Sequence, residues 1–257
     1  MKGIVFKPSP KRIAMSERKI ISFIRAYFRK AGKKTAIVGL SGGLDSAVTL
    51  ALCSRALGKG KVVAVLMPSS STPPIDLRDA KAFAKQAGAT AISFPIERII
   101  KSFGYLAQSR LGRANISARV RMASIYAMAR QHGCLVVGTG DKSEFLLGYF
   151  TKYGDGGADL FPIGALYKTE VRALGARLGV PASILEKPPS PALWKGQTAE
   201  SELGVPYPIA DAVLSRLESG ESKGSLSRAY GKAAVSKIIS RMEKNRHKLV
   251  AAPICKI

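Results

Sequence analysis

Apolar residues along this chain follow two rhythms. One is helical: Ile20, Ile21, Ile24, Tyr27 and Phe28 recur at three- and four-residue spacing, predicting an amphipathic helix capped by Ser16 and stopped by Gly32. The other is continuous: residues 35–40, 61–67, 91–94 and 134–138 are short apolar runs bounded by glycine, proline or charge, the pattern of strands buried on both faces. Between them lie helical stretches, one ending near Leu57, one opened by Asp76 and closed near Gly88, and a long one over 115–131. Strands alternating with helices predict an α/β fold: a doubly wound parallel sheet with helices on both faces and a site at the carboxyl ends of the strands. After about Phe150 the pattern changes to loops and short helices rich in proline and glycine. Segments 150–168 and 187–206 are too long for idle connections and are expected to fold over a ligand. The division is a single domain over 1–257, with an N-terminal helix (1–34), a nucleotide-binding core (35–150) and substrate loops, lid and C-terminal helices (151–257).

The first strand runs into Gly39, Leu40, Ser41, Gly42, Gly43, Leu44, Asp45 and Ser46, and a helix follows at once. Glycines at a helix N-terminus leave backbone N–H groups free for an anion, and the helix dipole adds partial positive charge. Ser41 and Ser46 supply hydroxyls. Asp45 repels a bare phosphate but suits Mg2+ bridging phosphates, so the loop points to a nucleoside triphosphate. Neither GxxxxGK[ST] nor GxGxxG is present in this loop. The string SGGxDS instead resembles the pyrophosphate loop of the ATP pyrophosphatase superfamily, whose members adenylate a substrate oxygen and release pyrophosphate.

Composition narrows the setting. The chain has 257 residues, 46% of them apolar, enough for a full core. Its 41 Lys and Arg against 17 Asp and Glu give a formal charge of +24, attractive to any polyanion. Because these cations are spread along the sequence, a dedicated nucleic-acid tail is not expected, nor nucleic acid as a partner. Cys53, Cys134 and Cys255 show no CxxC spacing, arguing against a disulfide framework or a zinc site and fitting a reducing cytoplasm. No apolar run reaches membrane-spanning length, and the first residues lack a signal peptide's apolar stretch.

A rarer string settles the chemistry. Phe150-Thr151-Lys152-Tyr153-Gly154-Asp155-Gly156-Gly157-Ala158-Asp159, with Asn115-Ile116-Ser117-Ala118-Arg119-Val120-Arg121-Met122, Val136-Val137-Gly138-Thr139 and His247-Lys248, closely resembles ammonia-dependent NAD synthetase from about Lys33 to Pro253. The resemblance implies a fold of the adenine nucleotide alpha hydrolase type. It also implies a ligase that adenylates the nicotinate carboxylate of deamido-NAD with ATP, after which ammonia displaces AMP to form NAD. A carboxylate oxygen is a poor leaving group until it is phosphorylated, which is why ATP is consumed.

Position by position, the resemblance makes Gly39 through Ser46 the ATP phosphate loop, with Thr139, Lys168 and Ser190 as further ATP contacts. Asp45 and Glu144 become the Mg2+ ligands, and Asp45 and Lys168 the catalytic groups. Arg119, Lys152, Asp159, His247 and Lys248 become the deamido-NAD contacts. Arg121, two positions from Arg119, reads at least as well as a solvated charge, and Trp194 equally as an aromatic lid or a surface anchor. The family's homodimers place deamido-NAD at the subunit interface, so a homodimer is expected. Departures fall where the family commonly has acids, at Lys195 and Ala199, and at Leu249 in place of Arg; Glu200 or Glu202 could substitute in the lid. No fused glutaminase is evident, so ammonia is the expected nitrogen donor. The alternatives are a tRNA-modifying ATP pyrophosphatase, for which a reactive cysteine pair near the loop is missing, the synthetase half of GMP synthetase, and a non-catalytic nucleotide sensor. Two metal carboxylates argue against the sensor, since like charges are costly unless a cation must be held.

Overall fold

The structure, a computed structural model, describes residues 5–194 and 196–255. Lys195 therefore lies outside the described residues. Four parallel strands, β1 (Ala36–Gly39), β2 (Val62–Leu66), β3 (Thr90–Ser93) and β4 (Leu135–Val137), form one sheet in the order β3-β2-β1-β4. Chain order reverses between β1 and β4, so their carboxyl ends diverge into a crevice. All four strands sit where the continuous apolar runs put them.

Helices cover both faces. α1 (Pro10–Lys30), α2 (Leu44–Leu57) and α7 (Lys168–Leu178) pack on one side around Ile24, Phe28, Val48, Leu52 and Leu174. α5 (Arg110–His132) packs on the other, where Ile125 and Ala129 meet Ile37, Val65 and Val136. α3 (Pro74–Gln86) links β2 to β3, and α4 (Glu97–Ser102) seals one edge through Ile100. Beyond β4 come α6 (Lys142–Leu147), α8 (Ala182–Leu185), α9 (Ala199–Leu203), α10 (Tyr207–Glu218), α11 (Lys223–Tyr230) and α12 (Lys232–Asn245). The last three of these share a second core centred on Val213, Leu214, Leu226, Val235 and Ile238.

Several helix starts differ from the sequence reading. α1 begins at Pro10, not after Ser16, because Ser9 caps it: its Oγ accepts from Arg12 N at 3.2 Å and Pro10 presets the first turn. Buried Ile13 extends the apolar stripe backwards by two turns. α3 opens at Pro74 rather than Asp76 for the same proline reason, and α5 starts at Arg110 under a Ser109 cap, five residues before the expected Asn115. The region after Phe150, expected to hold loops and short helices, also contains α7, α10 and α12, of 11, 12 and 14 residues. Of the two segments expected to be long connections, the described residues of 150–167 and 186–198 hold no helix or strand, whereas the rest of the expected 187–206 stretch contains α9. No helix among the described residues is long and apolar enough to cross a membrane.

Candidate active site

A cavity of about 470 Å³ opens at the crevice between the carboxyl ends of β1 and β4. On the β1 side the residues Gly39 to Ser46 line it. The loop is preorganised by its serines: Ser46 Oγ donates to Gly43 O (3.0 Å) and accepts from Ser41 N (3.2 Å), while Ser41 Oγ accepts from Gly43 N (3.2 Å). Gly42 has φ +84° and packs so tightly on the start of α3 that a Cβ there would lie 2.3 Å from Asp76 O. Only glycine satisfies both conditions.

At the cavity floor three helix N-termini meet. Asp45 is in the first turn of α2, Asp141 caps α6, Glu144 is in α6's first turn, and Lys168 opens α7. Lys168 Nζ lies 2.7 Å from Asp45 Oδ2, 2.9 Å from Asp141 Oδ2 and 2.9 Å from Glu144 Oε1, and its side chain is only 4% exposed. Asp141 Oδ1 accepts from Glu144 N at 2.8 Å, and Glu144 Oε2 accepts from Asp141 N at 3.3 Å, a reciprocal cap that fixes both carboxylates. Behind them, fully buried Asp211 of α10 accepts from Ser143 Oγ (2.6 Å), Thr169 N (2.9 Å) and Thr169 Oγ1 (2.8 Å), locking α6 to α7.

The electrostatics follow from this packing. Burial pushes the Asp141 carboxyl up to about 6, against the pull of Lys168, and neighbouring Asp45 adds to the rise. Glu144 is raised well above the ordinary carboxyl range by withdrawal from water and by Asp141 and Asp45, again against Lys168. Burial alone would lower the Lys168 ammonium, but three carboxylates outweigh it and hold the amine charged.

Two carboxylate oxygens are left over. Asp45 Oδ1 is buried with no partner, and Asp141 Oδ2 has no hydrogen bond beyond its ion pair with Lys168. One oxygen from each of Asp45, Asp141 and Glu144 lies within 4.8 Å of the others. A hard, oxygen-preferring divalent cation fits this donor set, and no nitrogen or sulfur ligand competes for it.

The other sequence-derived residues divide in two. Thr139, Ser190, Lys168 and Lys248 line the cavity. Lys248 Nζ donates to Gly148 O (2.8 Å) and Phe150 O (3.0 Å), and burial lowers its pKa. Arg119, Lys152, Asp159 and His247 do not line it. Arg119 is exposed on the opposite side of α5. Lys152 Nζ donates to the carbonyls of His247 (2.9 Å) and Val250 (3.1 Å), while His247 itself is exposed. The Asp159 carboxylate accepts from Val136 N (2.7 Å) and Tyr126 OH (3.2 Å), bracing β4.

Arg121, read from sequence at least as readily as a solvated charge, is instead half-buried and lines the cavity. Its Nε donates to Met67 O at 3.3 Å, and burial lowers its pKa. Sequence reasoning also left Asp141 without a role and missed Lys187. Lys187 Nζ reaches Asp76 Oδ1 and Asp79 Oδ2 (both 2.7 Å) and Gly42 O (3.3 Å), tying the segment after α8 to the loop at residues 39–46. Trp194, also on the cavity wall, stacks with Arg110 at 5.6 Å. Among the candidate lid acids, Glu202 lines the cavity and accepts from Tyr149 OH (3.0 Å), whereas Glu200 accepts from Tyr207 N (2.9 Å). Ala199 is buried at the start of α9, and Leu249 is exposed.

A parallel sheet with a serine- and glycine-rich loop at its switch point, facing paired carboxylates and a lysine, defines a nucleotide-binding α/β protein with the adenine nucleotide alpha hydrolase-like fold. The NAD synthase family model matches residues 16–252. An NH3-dependent NAD+ synthetase of Methanosarcina mazei is 43% identical over 247 residues, covering 93% of this chain and 96% of the relative. Among solved structures, an NMN synthetase from Francisella tularensis superposes with a TM-score of 0.87 at 31% identity, over 98% of this chain and 100% of that one. The NH3-dependent NAD synthetase of Campylobacter jejuni does so with a TM-score of 0.81 at 30% identity, over 95% and 99%. The chain belongs to the NAD synthase family.

Proposed function

We propose that this protein amidates deamido-NAD to NAD with ATP and ammonia, as the names of its relatives suggest. The observation that carries the reading is the meeting of Lys168, Asp45, Asp141 and Glu144 at the mouth of the phosphate loop. ATP lies with its phosphates on the N–H groups of residues 39–46, and Thr139 and Ser190 bound it from the strand end and the lid. Asp45 and Glu144, joined by Asp141, would hold Mg2+, which neutralises phosphate oxygens and orients them. A nicotinate carboxylate oxygen attacks the α-phosphorus, the bond to pyrophosphate breaks, and Lys168 stabilises charge growing on the phosphates. Ammonia then attacks the acyl carbon, the bond to AMP breaks, and a proton leaves the nitrogen.

The dinucleotide contacts expected at Arg119, Lys152, Asp159 and His247 do not line the single-chain cavity. A homodimer with deamido-NAD at the subunit boundary, as the family resemblance implies, gives the exposed members Arg119 and His247 a substrate to meet. The reduced-cysteine composition suits a cytoplasmic enzyme. The tRNA-modifying alternative is not favoured: Cys53 is buried with its thiol pushed up to about 12 by burial, too basic for sulfur delivery.

The test is product analysis with ATP, Mg2+, ammonium and either deamido-NAD or nicotinate mononucleotide, the second because of the similarity to an NMN synthetase. NAD, AMP and pyrophosphate in equal amounts are expected. ADP and phosphate as products would reject adenylation, and turnover of the mononucleotide alone would move the specificity.

A further inference from the structure

The cations behind the charge of +24 are scattered in sequence, and eight of them gather on one face of the fold. In a parallel αβ fold every helix-to-strand connection lies at the amino ends of the strands, opposite the catalytic cavity. Here those connections are tied side by side: Ala36 N donates to Lys61 O (3.0 Å), Leu135 N to Thr35 O (3.1 Å) and Gly60 N to Gly88 O (2.9 Å). Around them stand Arg29, Lys30, Lys33, Lys34, Lys59, Lys61, Lys85 and Arg130, all exposed and none in an ion pair among the described residues. Segments 29–35, 57–61, 85–90 and 129–134 contain no Asp or Glu.

Helix dipoles account for part of this. α1, α2, α3, α5 and α7 all end on this face, and at roughly half a negative charge each they offset about two and a half of the eight cations. Arg55 and Arg177, also at helix ends here, share Glu17, which offsets one of their two charges. A surplus of about six charges remains. At about 4.8 Å between strands, four strands with a helix layer on each side make a plate about 30 Å across.

Contrary to the expectation from the spread of cations along the sequence, we infer that this plate is a docking face for the phosphate backbone of nucleic acid. The exposed large apolar side chains of the described residues all lie outside these four segments, leaving nothing to anchor in a bilayer and no apolar centre for a protein partner. Six of the eight cations are lysines, point charges suited to phosphate oxygens rather than to forked recognition of base edges, so the contact is independent of sequence. The cavity lies at the other end of the strands and stays open when the face is occupied.

The test is fluorescence anisotropy of a labelled 24-base-pair DNA duplex of arbitrary sequence, titrated with the full chain between about 50 and 200 mM salt. Wild type is expected to bind with an affinity falling steeply with salt. Changing Lys33, Lys34, Lys59 and Lys61 to Gln should flatten the log–log salt slope by about 3 to 4, at roughly 0.9 for each phosphate no longer neutralised. Changing Lys223, Arg228, Lys232 and Lys237 to Gln on α11 and α12 lowers the net charge equally and should flatten it by less than about 1. Acetylation of wild-type lysines with and without duplex gives a readout that needs no variant, with Lys33, Lys59 and Lys61 protected. Equal effects of the two variants, no binding at the lowest salt, protection confined to α11 and α12, or binding to phosphatidylserine vesicles in place of DNA would each overturn the inference.

Discussion

Replacing Lys168 with Met removes the cation held by three carboxylates while keeping most of the side chain's apolar length. At 2.7 to 2.9 Å, each ion pair has a gross Coulomb energy of about 6 kcal/mol at an effective dielectric of 20. Most of that is offset by the cost of burying the charges, and removing one partner of a buried pair typically costs about 3–5 kcal/mol. For a chain of this size that is a fall in Tm of roughly 10 °C.

The loss depends on pH in a definite direction. Without the ammonium, the folded-state pKa values of Asp141 and Glu144 rise further above their unfolded values, from a starting point for Asp141 of about 6. Below the unfolded pKa the groups are protonated in both states and nothing is lost; as pH rises through the raised folded values the folded state is penalised progressively. The deficit should therefore be small near pH 5 and full at pH 8. Added Mg2+ should raise the variant's Tm more than the wild type's, because the carboxylates no longer have a competing cation. Thermal melts by circular dichroism at the two pH values, with and without Mg2+, measure all of this. A variant melting within about 2 °C of wild type at pH 8, or a deficit as large at pH 5, would show that Lys168 does not neutralise this cluster.

Further outcomes follow from single contacts. Asp141→Asn keeps an oxygen for the α6 cap but removes a charge, so stability should hold while the Mg2+ concentration for half-maximal turnover, and for half-maximal thermal shift, rises roughly ten-fold or more. Asp159→Ala leaves Val136 N without its carboxylate and should cost about 1–3 kcal/mol in urea unfolding, a loss that a purely substrate-binding role would not produce. Gly42→Ala forces a Cβ into Asp76 O at a left-handed φ, and calorimetry should find ATP binding weakened at least about ten-fold in a chain that still folds. A thiol reagent should label one cysteine per native chain, Cys255, and three after denaturation, because Cys53 and Cys134 are buried and burial raises both thiols.

How far the sequence could be read tracks how local each cause is. Buried strands need only a run of apolar residues, and all four were legible. The conformation of the loop at residues 39–46 was legible because glycine, serine and aspartate there answer to the backbone of one turn. Helix starts were not, since the Ser9 cap with Pro10 and the Ser16 candidate both satisfy local rules, and the choice rests on Ile13 joining a core drawn from distant parts of the chain. Arg121 was misjudged for a reason visible in the same helix. Ala114, Ala118, Arg121, Met122 and Ile125 recur at helical spacing and all line the cavity, while Arg119, 200° around from Arg121, cannot join them. Asp141 was hidden by its second role, because Asp-x-x-Glu before an apolar run is already explained as a cap. Lys187 carries no local signal: its partners Asp76 and Asp79 are over 100 positions earlier in the chain, brought close only by the folding of the 186–198 segment.

The site's own charge balance explains why so basic a chain places acids at its chemical centre. Asp45, Asp141 and Glu144 contribute three negative charges against one from Lys168. The N-termini of α2 and α7 add roughly half a positive charge each, and the short α6 somewhat less, so the cavity floor is held close to neutral. On the proposed function, entry of a triphosphate would upset that balance in one direction only. The incoming oxygens would compete with the carboxylates for Lys168 and for the helix ends, and Asp45, Asp141 and Glu144 would then be free to hold a divalent cation. Lys168 holds three carboxylates together, which on the proposed function would make it a placeholder until the nucleotide binds; a surface charge elsewhere on the chain could not replace it, because screening and distance remove its influence within about 10 Å.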